Sequence, residues 1–400
     1  MSLLTRFKQT PQNLKIFATV SLLAGMAYSI YDSTFNNFLD ARFSLTGFQR
    51  SFLEFPRELP GFLVVFVSAL LWFLCSRRLS AFSFLLSAIG ALLLGYFTTS
   101  YAVMSLWLFI YSMGMHLFLP LSPTIGMELA QEGQIGRRLG QLNAIRNLAA
   151  ILGSFLVALG FRFLNFNFQV TFTIVAVALF LAALLMFTME KGRPQPSGVF
   201  LKLHKEYRLY YALTVLYGSR KQIFVTFAPW VLVSIFQQPT QLMGTLFTIG
   251  GIIGIIFQPF LGWLIDRFGE RFVITAESVL LAFVCVGYGF SRSFLPENLA
   301  LLVTIVCFLL DQMLMSVTMA RATYMRKIAK TPEHVQTTLT AGVTIDHVFS
   351  ISVALLGGVI WNTFGYQYVF LFGAFIAVIN FIVARQIRVP VRETTPVSAD

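Results

Sequence analysis

Charge is scarce in this 400-residue chain: Asp, Glu, Lys and Arg together make up 12% of it, against about 25% in an ordinary soluble domain. A chain so poor in charge is not expected to fold as a water-soluble domain. Cysteine is nearly absent too. Cys75, Cys285 and Cys307 have neither metal-ligand spacing nor a disulfide framework, and read as buried structural thiols. There is no Gly-x-x-x-x-Gly-Lys-Ser/Thr loop, so ATP is not the expected energy source. No His-Glu-x-x-His or Cys-x-x-Cys pair points to metal chemistry, no cofactor is expected, and no nucleophile–base pair suggests an enzyme.

What the chain has is apolar length. Hydrophobic residues make up 57% of it, mean hydropathy is +0.76 and there are 43 phenylalanines. Runs of about 20 apolar residues, each able to span a bilayer, recur from end to end. Twelve are read, at roughly 14–39, 48–75, 79–98, 102–127, 139–162, 168–189, 208–236, 240–265, 272–291, 298–325, 338–361 and 366–385. Runs this long exclude barrel strands, leaving an all-α membrane protein. The first run is too long for a cleavable signal peptide and reads as a retained helix.

The net charge of +12 is not read as a nucleic-acid footprint. When the loops are placed alternately on two sides, most of the 29 bases fall on the side of both termini: Arg6, Lys8, Lys15, Arg77, Arg78, Arg137, Arg138, Lys191, Arg193, Lys202, Lys205, Arg208, Arg267, Arg271, Arg326, Lys327, Lys330, Arg385, Arg388 and Arg392. Only Arg42, Arg50, Arg162 and Arg292 fall opposite. The asymmetry fits cytoplasmic termini and an even number of spans.

One polar turn between apolar runs stands out: Gly262-Trp263-Leu264-Ile265-Asp266-Arg267-Phe268-Gly269-Glu270-Arg271. Its Gly, Asp-Arg, Gly and Arg spacing, between the second and third runs of a six-run half, resembles the loop signature of the major facilitator superfamily. That resemblance covers essentially the whole chain. It implies two pseudo-symmetric six-helix bundles, 1–189 and 208–400, joined by a cytoplasmic linker at 190–207, with a substrate path between them. The halves correspond weakly: Tyr28-Ser29-Ile30-Tyr31-Asp32 of the first run is matched by Tyr217-Gly218-Ser219-Arg220-Lys221 of the seventh, and the first-half turn at 68–78 keeps its arginines but lacks the Asp and the second Gly. The resemblance further implies that Asp266, with Arg267 and Arg271, braces the start of the fifth helix near Arg137, Arg138 and Arg146, stabilising an outward-facing state.

Ionisable groups at bilayer depth are costly and are functional candidates by default. Arg220, Lys221, Asp311 and His116 fall near mid-depth, and Asp32, Glu54, Arg57 and Glu58 in the outer half or near the middle. Arg220, Lys221, His116, Tyr28 and Arg57 are the substrate-binding candidates. Neighbouring helical residues point about 100° apart, so Arg220 and Lys221 cannot both face one spot. They read either as an anion site or as ion-pair partners of Asp32 or Asp311. Asp32, Asp311, Glu54 and Glu58 are the proton-coupling candidates, since a carboxyl removed from water holds a proton more readily. Pro56 and Pro60 imply a kink in the second helix. Arg146 and Asp346, beside His347, are gate candidates.

The reading is secondary active transport of a small solute by a monomer in the inner membrane, coupled to protons and directed at a substrate of anionic character. Proton-driven efflux of amphipathic compounds remains an alternative, weakened by the lack of the Gly-Pro pair that the family's drug–proton antiporters carry in the fifth helix. A non-transporting membrane sensor on the same scaffold is the other.

Overall fold

The computed structural model describes residues 11–71, 73–132, 134–192 and 203–389. Arg6, Lys8, Arg193, Lys202, Arg392 and much of the 190–207 linker lie outside the described residues. The described chain is built from helices: α1 (Gln12–Phe43), α2 (Gly47–Phe52 and Glu54–Leu70), α3 (Ser76–Tyr96), α4 (Tyr101–Glu128), α5 (Ile135–Phe163), α6 (Phe168–Thr188), α7 (Arg208–Trp230, then a π-helical turn Val231–Ile235), α8 (240–268), α9 (270–294), α10 (Glu297–Ile328), α11 (Pro332–Phe364) and α12 (Tyr366–Ala384). Among the described residues, nine helical stretches are long and apolar enough to cross a membrane. The longest, Thr240–Phe294, is α8 and α9 run together across Gly269. Two helices fall outside that count: α2 is broken, and Ser219-Arg220-Lys221-Gln222 makes the centre of α7 polar.

Local chemistry sets the helix starts. Thr46 and Gln49 form a reciprocal capping box at α2, while Ser100, Asn167 and Thr331 accept backbone N–H groups at the starts of α4, α6 and α11. The break in α2 falls at Leu53, just before Pro56, whose ring has no N–H to give and crowds the carbonyl four residues back. Arg50, which the charge count set opposite the termini, sits in the first turns of α2 at that end. The capping box restarts the helix at Gly47 and carries Arg50 into the interior, fully buried.

Buried side chains form one core from the first six helices and another from the last six. In the first, Gly114 of α4 lies against the backbone of Ser83 and Ser87 in α3, where a Cβ would collide, and Ser87 donates to the Tyr111 carbonyl at 3.0 Å. Two tryptophans stitch the cores together: Trp230 of α7 packs into the first, and Trp361 of α11 touches both. Large apolar side chains such as Phe66, Ile256, Phe283 and Phe375 stand exposed on the outside, a surface suited to lipid rather than water.

The halves meet mainly at the end away from the chain termini. There Phe48 N–H donates to Asn362 Oδ1 at 3.1 Å, Asn37 donates to the Gln238 carbonyl at 2.8 Å, and a depression of about 610 Å³ is floored by Trp230 and Trp361. Ser154 of α5 accepts from Thr248 of α8 at 3.0 Å nearer the middle. At the termini end, Arg137, Asp266 and Arg267 are exposed, Arg138 is half-buried and, among the described residues, none of the four makes an ion pair across the halves. Among the described residues, no ion pair ties the halves together at that end.

Gly269 has φ 78° and ψ 166°, a region open in practice only to glycine. Gly269→Ala is expected to lower stability by about 1–3 kcal/mol. Gly262→Ala, with nothing within 4 Å of its added Cβ, is expected to be neutral or slightly stabilising. Thermal unfolding of both purified variants checks the contrast.

Candidate functional site

Two polar constellations occupy the middle of the molecule. The first lies wholly within the second half. Arg220 of α7 donates through Nη1 to Asp311 of α10 at 2.5 Å and through Nη2 to Glu277 of α9 at 3.2 Å. Glu277 accepts a second guanidinium, from Arg321 of α10, at 2.8 Å. Both guanidinium groups lie over the Tyr217 ring, at 5.3 Å and 4.5 Å. All four charged side chains are at most 4% exposed. Two cations and two anions cancel, which is how such groups persist away from water.

The second constellation lies where the halves face each other. Glu54 of α2, fully buried, accepts from Arg50 at 2.8 Å, from Arg57 at 3.3 Å and, across the halves, from Gln222 of α7 at 3.0 Å. Arg50 also donates to Asn36 of α1 at 3.0 Å. One turn further along α2, Glu58 accepts from His347 Nδ1 of α11 at 2.8 Å, again across the halves. His347 lies edge-on to His116 of α4, ring centres 5.1 Å apart. Beside them Lys221 of α7 donates to Asp346 of α11 at 2.5 Å, and both remain partly exposed.

Arg220 and Lys221 thus diverge, as adjacent helical positions must. Arg220 turns into the second half's network and Lys221 towards the space between the halves. Asp311 is held by Arg220 rather than open to that space. Asp32 is different: it is exposed, and no hydrogen bond or ion pair engages it among the described residues, although the charges of Arg57 and Glu54 act on it. Tyr28, half-buried on α1, meets Tyr111 edge-on at 6.5 Å.

Of the gate candidates, Asp266, Arg267 and Arg271 are exposed, while Arg146 donates to Asn143 of its own helix at 2.5 Å. Arg137 and Arg138 bond the neighbouring amides Gln134 and Gln141, so none of them meets Asp266 in this arrangement. The residue of that turn which does form a clasp is Glu270, paired with Lys327 at 2.7 Å. Sequence reasoning passed over Glu270, Gln222 and the partnership of His347 with Glu58. The last joins residues 289 positions apart, for which the pattern of α2 or α11 alone holds no signal.

Residues 17–341 and 210–399 match the family model described as Major Facilitator Superfamily. The chain belongs to the Major Facilitator Superfamily. Solved structures similar to this superfamily member include the nucleoside transporter NupG (TM-score 0.74, 14% identity, 94% of this chain and 98% of that one). A D-xylose-proton symporter aligns with TM-score 0.67 at 17% identity, over 94% and 97%. A bacterial homologue of the human lysosomal transporter Spinster, inward-facing and unoccupied, aligns with TM-score 0.68 at 13% identity, over 94% and 97%. No curated protein matches the sequence. The protein is a multi-pass membrane protein with a transporter fold.

Removing Arg220 leaves two buried carboxylates competing for Arg321. Arg220→Met is therefore expected to cost about 3–5 kcal/mol, and Arg220→Met with Asp311→Leu to recover much of that loss. Thermal unfolding in detergent, alone and as a double-mutant cycle, measures it.

Proposed function

We propose that this superfamily member is a secondary active transporter that moves a small polar solute with an anionic group by alternating access, coupled to protons. The termini lie on the cytoplasmic side of an inner membrane, as the placement of its bases supports, and the structure is then inward-open. The solute's anionic group takes Lys221 from Asp346, with Arg57 close by, in the space between the halves. An ion pair that opens for substrate links occupancy to the α7–α11 contact.

The observation that carries proton coupling is Asp32. The other carboxylates near mid-depth, Glu54, Glu58, Glu277, Asp311 and Asp346, each have a cationic, imidazole or amide partner. Asp32 alone of these acids faces the opening without one. A carboxyl so placed can load a proton from one side and release it after the halves rock. Proton coupling is in keeping with a solved neighbour of similar fold that is named as a D-xylose-proton symporter.

The full chain reconstituted in vesicles tests this. After a thermal-shift screen of organic acids, sugars and nucleosides finds a stabilising solute, its accumulation is measured with and without an imposed pH gradient. Asp32→Asn is expected to lose gradient-driven accumulation about tenfold or more while retaining solute exchange at equal pH, as expected for a carboxyl whose charge state drives coupling rather than binding. Wild-type accumulation that ignores the gradient, or an Asp32→Asn variant that still follows it, rules out Asp32 as the coupling group.

A further inference from the structure

Three side chains at the meeting of the halves do more than pair. One ligand atom each from Glu58, His116 and His347 lies within 4.8 Å of the other two, and all three residues are buried. They come from α2, α4 and α11, so the cluster spans both halves. We propose that Glu58, His116 and His347 form a site for a divalent transition-metal ion of the zinc type, which clasps the two halves in the present arrangement.

Hydrogen bonding fixes the His116 imidazole for this task. Ser112 gives its hydroxyl proton to the Arg57 carbonyl, so towards His116 Nδ1 its oxygen can only accept, at 3.0 Å. The Ser112 carbonyl, 2.9 Å from the same nitrogen, also only accepts. Nδ1 of His116 therefore carries the proton, and Nε2 keeps its lone pair. Nδ1 of His347 lies 2.8 Å from the Glu58 carboxylate, so an ion bound here takes the place of the proton they share and is held by that nitrogen and a Glu58 oxygen, with His116 Nε2 as the third donor. A metal-bound histidine characteristically hands its other N–H to a carboxylate or a backbone carbonyl, and His116 does so to the Ser112 carbonyl. Two imidazoles and a carboxylate suit zinc and its neighbours, not magnesium or calcium, which favour all-oxygen shells.

The surroundings support a cation. Gly61 has no side chain, and a Cβ there would strike the His347 ring, so the imidazole is seated directly on the α2 backbone. Lys221 is matched by Asp346, and Arg50 and Arg57 by Glu54 and Asp32, so the neighbouring cations do not depend on Glu58 alone. The partly exposed Lys221–Asp346 pair marks the way in from the opening. The chain shows no local metal motif because its ligands come from helices far apart in sequence. A second cluster, His204, Glu206 and His334, is less prepared. Its imidazoles stack at 4.0 Å and already bond Thr337 and Tyr207, while Glu206 holds Lys330.

The test uses the purified full chain, stripped with a chelator and titrated with Zn²⁺ by calorimetry and by thermal unfolding. One tight equivalent that raises the unfolding temperature is expected. His116→Gln, His347→Gln and Glu58→Gln should each weaken binding by about tenfold or more, at least the loss that an outer-shell change brings, while His334→Gln and Cys75→Ser leave it unchanged. Absent binding, or binding lost in His334→Gln or Cys75→Ser instead, overturns the proposal. X-ray absorption of the Zn²⁺-loaded wild type needs no variant to fold. Imidazole and carboxylate scatterers at about 2.0–2.1 Å are expected, and a sulfur shell at about 2.3 Å overturns the assignment.

Discussion

A charge held away from water must find a partner, and this requirement orders the centre of the molecule. It draws Arg220 and Arg321 onto Asp311 and Glu277, binding α7, α9 and α10 into one unit. It also gathers Arg50, Arg57 and Gln222 around Glu54, joining α2 to α7 across the halves. Against that background of matched charge, one exposed carboxylate on α1 has chemical freedom the others lack.

The halves are tied internally by ion pairs of opposite sense. At the termini end of the first, Arg77 at the start of α3 pairs with Glu128 at the end of α4 at 3.5 Å. At the matching place in the second, the acid is at the start, Glu270 on α9, and the base at the end, Lys327 on α10. Contacts between the halves rely instead on tryptophan packing, single hydrogen bonds and the Glu58–His347 pair. Bonds within a half thus outweigh bonds between halves, the condition for two bodies that rock without unfolding.

The helices were legible because an apolar run of spanning length has few alternatives in lipid, and the family because the 262–271 turn carries its pattern in one short string. The break in α2 was legible from Pro56. The 48–75 run put Arg50 near a helix start but did not reveal its turn into the interior, which follows from the helix that Thr46 and Gln49 begin. At the site, sequence identified which residues are costly to bury, and helical geometry required Arg220 and Lys221 to part. It did not identify partners. Which acid takes Arg220, or that His347 reaches Glu58, depends on how helices pack over separations of 91 and 289 residues.

The single-residue join at Gly269 has a mechanical consequence. The chain passes from α8 to α9 through one glycine, with helical structure continuing on both sides. α8 carries Thr248, which touches the first half at Ser154, and α9 carries Glu277, which holds two arginines of the second half. A connection this short leaves no loop between the two seams, so any change of angle between α8 and α9 is taken up at the one residue whose backbone is free to turn.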